Sequence, residues 1–190
     1  MKKTTTIVQA AMIAAIYVVL TMAVSTLNLA SGAIQVRVSE ALTVLPYFTA
    51  AAVPGLTIGC LIANLLTGAA PYDVVFGTLA TLLGAVGTLL ISRYRLPERH
   101  QDKRDQSERR QNQKRQFLCT LPPVLSNMLI IPFVLRYGYG LTMEFDGIDY
   151  SIPFYMLTVG AGEVICCCVL GSILLSALQK VRGAVFQMGS

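Results

Sequence analysis

Apolar residues run through this chain in long blocks separated by short polar breaks. The first block, Ile7 to Leu29, exceeds the roughly 20 residues that a membrane-spanning helix needs. Ser31 and Gly32 end it. Gln35, Arg37, Ser39 and Glu40 then alternate with Ile34, Val36 and Val38, a short polar loop that leads into a second block from Ala41 to Phe48. So short a block predicts a tilted helix, or one that begins as early as Val38. Pro54 and Gly55 open a third block that runs to about Thr67. After the break at Gly68 to Pro71, a fourth runs from Tyr72 to about Ser92; Pro71 suits the first turn of its helix, where an N–H has no partner to lose. Arg93 to Gln116 holds almost no apolar residues and must be solvated, as a helix extension or as a loop. The fifth block, Phe117 to about Leu135, carries Pro122, Pro123 and Pro132, which a span tolerates where neighbours satisfy the freed carbonyls. Tyr137 to Tyr150 is polar and acidic, and the last block starts at Ser151 and ends near Lys180. The pattern predicts an all-α membrane protein, one domain over residues 1–190, with six transmembrane helices.

Composition agrees: 54% of residues are apolar and 13% charged, against about a quarter charged in a soluble domain. The net charge of +5 raises the question of nucleic acid, and its distribution answers no. Nine of the fifteen Lys and Arg residues fall between Arg93 and Arg115; Lys2, Lys3, Lys180 and Arg182 lie at the chain ends. Six spans place both ends and the 93–116 stretch on one side, and basic loops stay inside. Both termini and residues 93–116 are therefore expected in the cytoplasm, with loops 32–39 and 137–150 outside. Lys2 and Lys3 before an apolar run resemble a signal peptide. The run continues to Leu29 without a clear cleavage pattern, so it reads as a retained first span.

Few residues are equipped for chemistry. GxxxxGK[ST], HExxH and GxSxG are all absent from the sequence, and the single histidine, His100, lies in the charged stretch. An enzyme is therefore not expected, nor a resident cofactor or metal. Cys60, Cys119 and the run Cys166 to Cys168 lie in apolar blocks without CxxC spacing and read as reduced, packed residues. Glu163 stands out, about 15 Å along a helix starting near Pro153, because an ionisable group at that depth marks a site by default. The structural alternative is a carboxyl bonded to Asn64, Asn127 or a backbone carbonyl. Asn127 is open to both readings, site or interhelical contact. Asp73 and Tyr72 begin the fourth helix, where an acid also suits the helix N-terminus. Arg37 and Glu40 flank the outer end of the second span; they either pair with each other, meet headgroups or contact a ligand. Ala10 and Ala14, and Ala11 and Ala15, form small-xxx-small pairs on the first helix. Gly77, Gly84, Gly87, Gly160 and Gly162 read as packing contacts.

The stretch Gln35-Val-Arg-Val-Ser-Glu-Ala-Leu-Thr-Val-Leu-Pro-Tyr-Phe48 resembles the QueT family of substrate-binding S components of energy-coupling-factor (ECF) transporters. So do Val53-Pro-Gly-Leu-Thr-Ile-Gly-Cys-Leu-Ile-Ala-Asn-Leu-Leu66 and Tyr72-Asp-Val-Val-Phe-Gly-Thr-Leu-Ala-Thr-Leu-Leu83. The charged stretch 93–116 departs from the family pattern, and no role carries over to it. The resemblance implies a six-helix S component in the bacterial cell membrane, gated by the loop after the first helix. It implies import of queuosine precursors, queuine or related 7-deazaguanines, driven by ATP at two partner ATPase subunits. A transmembrane coupling subunit would dock on the small-residue face of Ala10, Ala11, Ala14 and Ala15. In a site for such a ligand Glu163 would accept the paired N–H donors of the guanine-like edge, with Glu40 or Asp73 next in line. Tyr72 or Tyr155 would stack on the base, Asn127 and Gln35 would meet its carbonyl or ring nitrogens, and Arg37 would contact the ligand at the entrance. The alternatives are an S component for another vitamin-like micronutrient and a stand-alone secondary transporter.

Overall fold

The computed structural model describes residues 2–26, 37–93 and 104–186, with side chains at 3–26, 37–93 and 117–178. Helix α1 spans Lys2–Thr26 and lies parallel to α2, Ala52–Leu66. Two glycines four residues apart set their separation. A Cβ on Gly55 would stand 2.7 Å from the Ala10 carbonyl oxygen, and one on Gly59 would stand 2.9 Å from Tyr17 Cβ and 3.0 Å from Ala14 Cα. Without side chains at those points the two backbones come together directly.

The second apolar block begins at Val38, the earlier of its two expected starts, but it is a 3-10 helix, Val38–Tyr47, rather than an α-helix. It runs against α1. Thr21 Oγ1 donates to Ser39 Oγ at 2.9 Å near one end, and Thr49 Oγ1 donates to Gln9 Oε1 at 3.2 Å just past the other. The stretch of α1 between those contacts is about 18 Å long at 1.5 Å per residue. A 3-10 run of ten residues is uncommon because its hydrogen bonds are poorer, so packing has to hold it. Ser39 through Pro46 are all buried, among α1, α3 and the last helix. It is the central element of the bundle.

Helices α3, Pro71–Arg93, and α4, Arg104–Phe133, pack antiparallel through another glycine pair. A Cβ on Gly84 would meet Pro123 Cα at 2.8 Å, and one on Gly87 would meet Pro122 Cβ at 2.6 Å. Pro123 has no N–H for the carbonyl of Cys119, four residues back. Thr88 on α3 supplies the missing donor, Oγ1 to Cys119 O at 2.8 Å. A short π-helical turn, Val134–Gly138, ends α4. Strands β1, Glu144–Phe145, and β2, Ile148–Asp149, then form a hairpin, the only strands among the described residues. At its base Asp149 accepts bonds from the Ser151 hydroxyl and amide and from Arg136. Those donors, Ser151 first, hold its carboxyl down at about 2. The last block is one continuous rod of α5, Ser151–Glu163, a π-helical segment, Val164–Leu170, and α6, Gly171–Phe186.

Large apolar side chains coat the outside, Ile7, Val8, Met12, Ile16 and Val19 on α1 among them, while Glu40, Asn64, Asp73, Thr81, Asn127 and Glu163 are buried. Four segments, Lys3–Thr26, Pro71–Arg93, Phe117–Gly138 and Ser151–Leu178, are long and apolar enough to cross a membrane. Val38–Tyr47 and Ala52–Leu66, of 10 and 15 residues, match the two short blocks in the sequence and fall below the roughly 20 residues of a full span. The fold is mostly helical, as expected. In the charged stretch, helix has begun by Arg104.

Substituting Gly59→Val forces a branched side chain into the α1–α2 contact and should cost about 1–3 kcal/mol, the usual range for overpacking. Thermal unfolding of the detergent-solubilised protein should show the loss as a lower Tm. An unchanged Tm would mean the two helices part there without cost.

Candidate functional site

Among the described residues three acids lie inside the bundle: Glu40 at 1% exposure and Asp73 and Glu163 at 4% each. Lipid cannot solvate a carboxylate, so each must find partners within the protein. Glu40 sits in the first turn of the central 3-10 helix. Tyr17 Oη on α1 donates to its Oε1 at 2.5 Å, and Thr81 Oγ1 on α3 donates to the same oxygen at 3.2 Å. Its other oxygen, Oε2, is buried and has no hydrogen-bond partner among the described residues.

Glu163 ends α5 where the helix widens into the π segment. Such widened turns aim side chains differently from an α-helix and recur at functional sites. Cys167 Sγ donates to Glu163 Oε2 at 3.3 Å and also lies 3.5 Å from the Glu40 carbonyl oxygen. That thiol joins the two acids into one polar cluster. Asn127, on the facing helix α4, belongs to it too: its side chain lies against the Glu163 carboxyl, while its buried Nδ2 makes no hydrogen bond of good geometry among the described residues.

Arg37 and Asp73 form a second group toward the end of the bundle where α3 begins. Arg37 Nη2 lies 2.8 Å from Asp73 Oδ2. Tyr139 Oη donates to that oxygen at 3.1 Å and accepts from the Ala70 amide at 3.2 Å. Burial, with Asp73 beside it, lifts the Tyr139 hydroxyl above its usual range, so it stays protonated and able to donate. Asn64 Nδ2 donates to the Asp73 carbonyl at 3.3 Å. Gly77 makes room for the group, since a Cβ there would stand 2.7 Å from Asp73 Oδ1 and 3.3 Å from Asn64 Nδ2.

Several sequence expectations move in consequence. Glu40 neither pairs with Arg37 nor lies at an exposed end; Arg37 takes Asp73 instead, and Glu40 is in the core. Asn64 bonds the backbone of Asp73 rather than Glu163. Tyr155 packs in an apolar cluster with Ile131, Leu135 and Val159, and Tyr72 is 59% exposed, so neither is brought into the polar cluster. Gln35 lies outside the described residues. Ala14 and Ala10 face α2, while Ala11 and Ala15 are exposed. Gly77, Gly84, Gly87 and Gly160 are close packing contacts, as expected, and none of the five cysteines forms a disulfide. The sequence pattern marks Cys167 only as a packed thiol and gives no sign of Tyr17, Thr81 or Tyr139 beyond a tyrosine midway along an apolar block.

An open groove of about 410 Å³ lies apart from the buried acids, lined by Tyr72, Phe76, Leu129, Ile130, Phe133, Val134, Tyr137 and Gly138. Its lining is apolar and offers a ligand little to recognise. Among the described residues there is no cluster of His, Cys, Asp or Glu fit to hold a metal. What the buried residues can do is accept and donate hydrogen bonds in a dry setting, which suits binding rather than catalysis.

A family model described as the QueT transporter matches residues 7–180 of this chain. A curated relative described as the queuosine precursor transporter QueT, from Lactococcus lactis subsp. cremoris (strain MG1363), is 41% identical over 94 residues, 49% of this chain and 55% of the relative. The matched stretch thus spans about half the length of that relative. No solved structure matches.

Removing one partner of the Arg37–Asp73 pair strands the other. Arg37→Ala should cost about 3 kcal/mol, the low end for a broken buried pair because Arg37 keeps some exposure. Adding Asp73→Asn should recover part of that loss by removing the stranded charge. Thermal unfolding of the two variants tests this; a double variant no more stable than Arg37→Ala would rule out the pair as the cause.

Proposed function

The chain belongs to the QueT transporter family, and from that premise we propose that it is the substrate-binding membrane subunit of an ECF-type importer for queuosine precursors. The observation that carries the reading is the buried cluster of Glu40, Asn127 and Glu163, with polar atoms left unbonded in the middle of an apolar bundle. The name of the Lactococcus relative supplies the ligand class. A 7-deazaguanine presents adjacent N–H donors and a carbonyl on a flat ring. Glu163 accepts two of the donors in parallel, and Asn127 Nδ2 gives a hydrogen bond to the carbonyl. Buried polar atoms that lack a hydrogen bond in the free protein gain most when a complementary edge arrives.

In this reading the chain crosses the bilayer six times, with Val38–Tyr47 and Ala52–Leu66 as the two short passes and both termini in the cytoplasm. The absence of a P-loop motif from the sequence fits a subunit whose ATP is used by partner chains. Ala11 and Ala15, exposed on α1, offer a flat strip for a coupling subunit; Ala10 and Ala14 already face α2.

Calorimetric titration of the purified protein with queuine and simpler 7-deazaguanines tests the ligand class, and binding of none of them would refute it. Glu163→Gln should weaken binding by more than about tenfold, since a hydrogen bond to a charged group contributes about 1.5–3 kcal/mol. Equal affinity in that variant would return Glu163 to a packing role. Ala15→Leu should leave ligand binding unchanged and prevent co-purification of a coupling subunit and ATPases from the native host; intact complexes would count against the docking face.

A further inference from the structure

The charges inside the bundle do not balance among the described residues. Glu40, Asp73 and Glu163 are three buried acids, and the basic side chain among them is Arg37. Arg37 is taken up by Asp73 at 2.8 Å. Arg93 is exposed at the far end of α3, and Arg136 is bonded to Asp149 at the hairpin. Glu40 and Glu163 share one cluster through Cys167, with a thiol, an amide and two hydroxyls as close company, and Arg37 acts on Glu163 only from its place beside Asp73. Hydroxyl donors fill only Glu40 Oε1; Oε2 is buried and unbonded, and so is Asn127 Nδ2 across the cluster.

Carboxyl groups gathered in a dry interior favour any cation that reaches them, because opposite charges attract strongly where water is absent. We infer that the site takes a ligand carrying a positive charge, a protonated amine on a planar donor-bearing ring, and that Glu40 Oε2 is the atom that receives the ammonium. This rests on the cluster being the substrate site. It adds a second recognition element to it: Glu163 and Asn127 read the ring edge, which every 7-deazaguanine shares, whereas Glu40 reads the substituent, which differs among them. Tyr17 and Thr81 hold Oε1 and so keep the carboxylate turned with Oε2 free, which makes them positioning residues for Glu40.

The inference separates two probes with the same ring edge, 7-aminomethyl-7-deazaguanine, a cation at neutral pH, and 7-cyano-7-deazaguanine, which is neutral. Calorimetry on the full chain should show the cation binding at least about tenfold more tightly, as a charge-assisted bond requires. Glu40→Gln should bring the two affinities within about threefold of each other by weakening the cation alone, while Glu163→Gln weakens both. Equal wild-type affinities would overturn the inference and leave the transport reading standing. A preference that survives Glu40→Gln would overturn the role of Glu40. Binding of neither probe would overturn both readings together. Should Glu40→Gln fail to fold, Glu40→Asp keeps the charge but withdraws it by one methylene. Its preference for the cation should then fall while affinity for the cyano compound holds; an undiminished preference would refute the assignment.

Discussion

A carboxyl group buried in an apolar bundle is the constraint from which much of this architecture follows. Glu40 lies on the one described element packed against α1, α3 and the terminal rod at once, so no lipid-facing rotation is open to it. Water is not at hand, and donors must come from neighbouring helices. Tyr17 reaches it from α1 and Thr81 from α3, which ties three elements to one oxygen atom. The narrowness of a 3-10 helix serves the same end, because a slim central element lets its neighbours close around it. Its own hydrogen bonds are weak, and part of the deficit is met by side chains: the Thr43 hydroxyl of the same helix and the Cys167 thiol from the terminal rod both approach the Glu40 carbonyl.

Close approach elsewhere rests on absent side chains. Gly55 and Gly59 bring α2 onto α1, Gly84 and Gly87 bring α3 onto the prolines of α4, and Gly171 admits Val44 of the central helix, 2.9 Å from where a Cβ would be. In lipid there is no water-driven force between helices, so contact distance and interhelical hydrogen bonds have to supply the attraction. The bond from Thr88 to Cys119 shows both at once: the glycines let α3 come near, and the carbonyl freed by Pro123 gives Thr88 something to bind. A break in one helix becomes a bond between two.

How much of this was legible varied with the kind of signal. Block length and polar breaks located α3, the apolar part of α4 from Phe117 on and the start of the terminal rod within a few residues, because a long apolar run surrounded by lipid has few alternatives to helix; the polar first part of α4, from Arg104, carries no such signal. The segment Val38 to Tyr47 was harder, since its alternation of apolar and small residues suits several backbones, and only packing selects the 3-10 form. Glu163 was legible as a single acid in an apolar block. Glu40 was misplaced to an exposed end because it follows Arg37 by three residues, and charges so close in sequence suggest each other as partners. The actual partner, Asp73, is remote in sequence, and no spacing announces it. Tyr17 was passed over for the same reason: an isolated tyrosine in a span carries no pattern, and its role exists only once Glu40 is beside it.

The two acidic groups then divide the work by their surroundings. Asp73 has a cation, a tyrosine and a helix N-terminus, all of which favour its charge, and it fastens the start of α3 to Arg37 and to Tyr139 beyond α4. Glu40 and Glu163 have no cation paired with them, so hydroxyl, thiol and amide groups hold their positions while Arg37 is spent on Asp73. A fully compensated pair would hold the bundle together and leave a ligand nothing to gain. An under-compensated pair in a rigid frame stores its missing interaction for a molecule of the right charge and shape. Arg37 adjoins both groups: held by Asp73, it remains within electrostatic reach of Glu163. The order of the chain places it one turn before Glu40, so the pair that secures the bundle end also fixes where the free carboxylate begins.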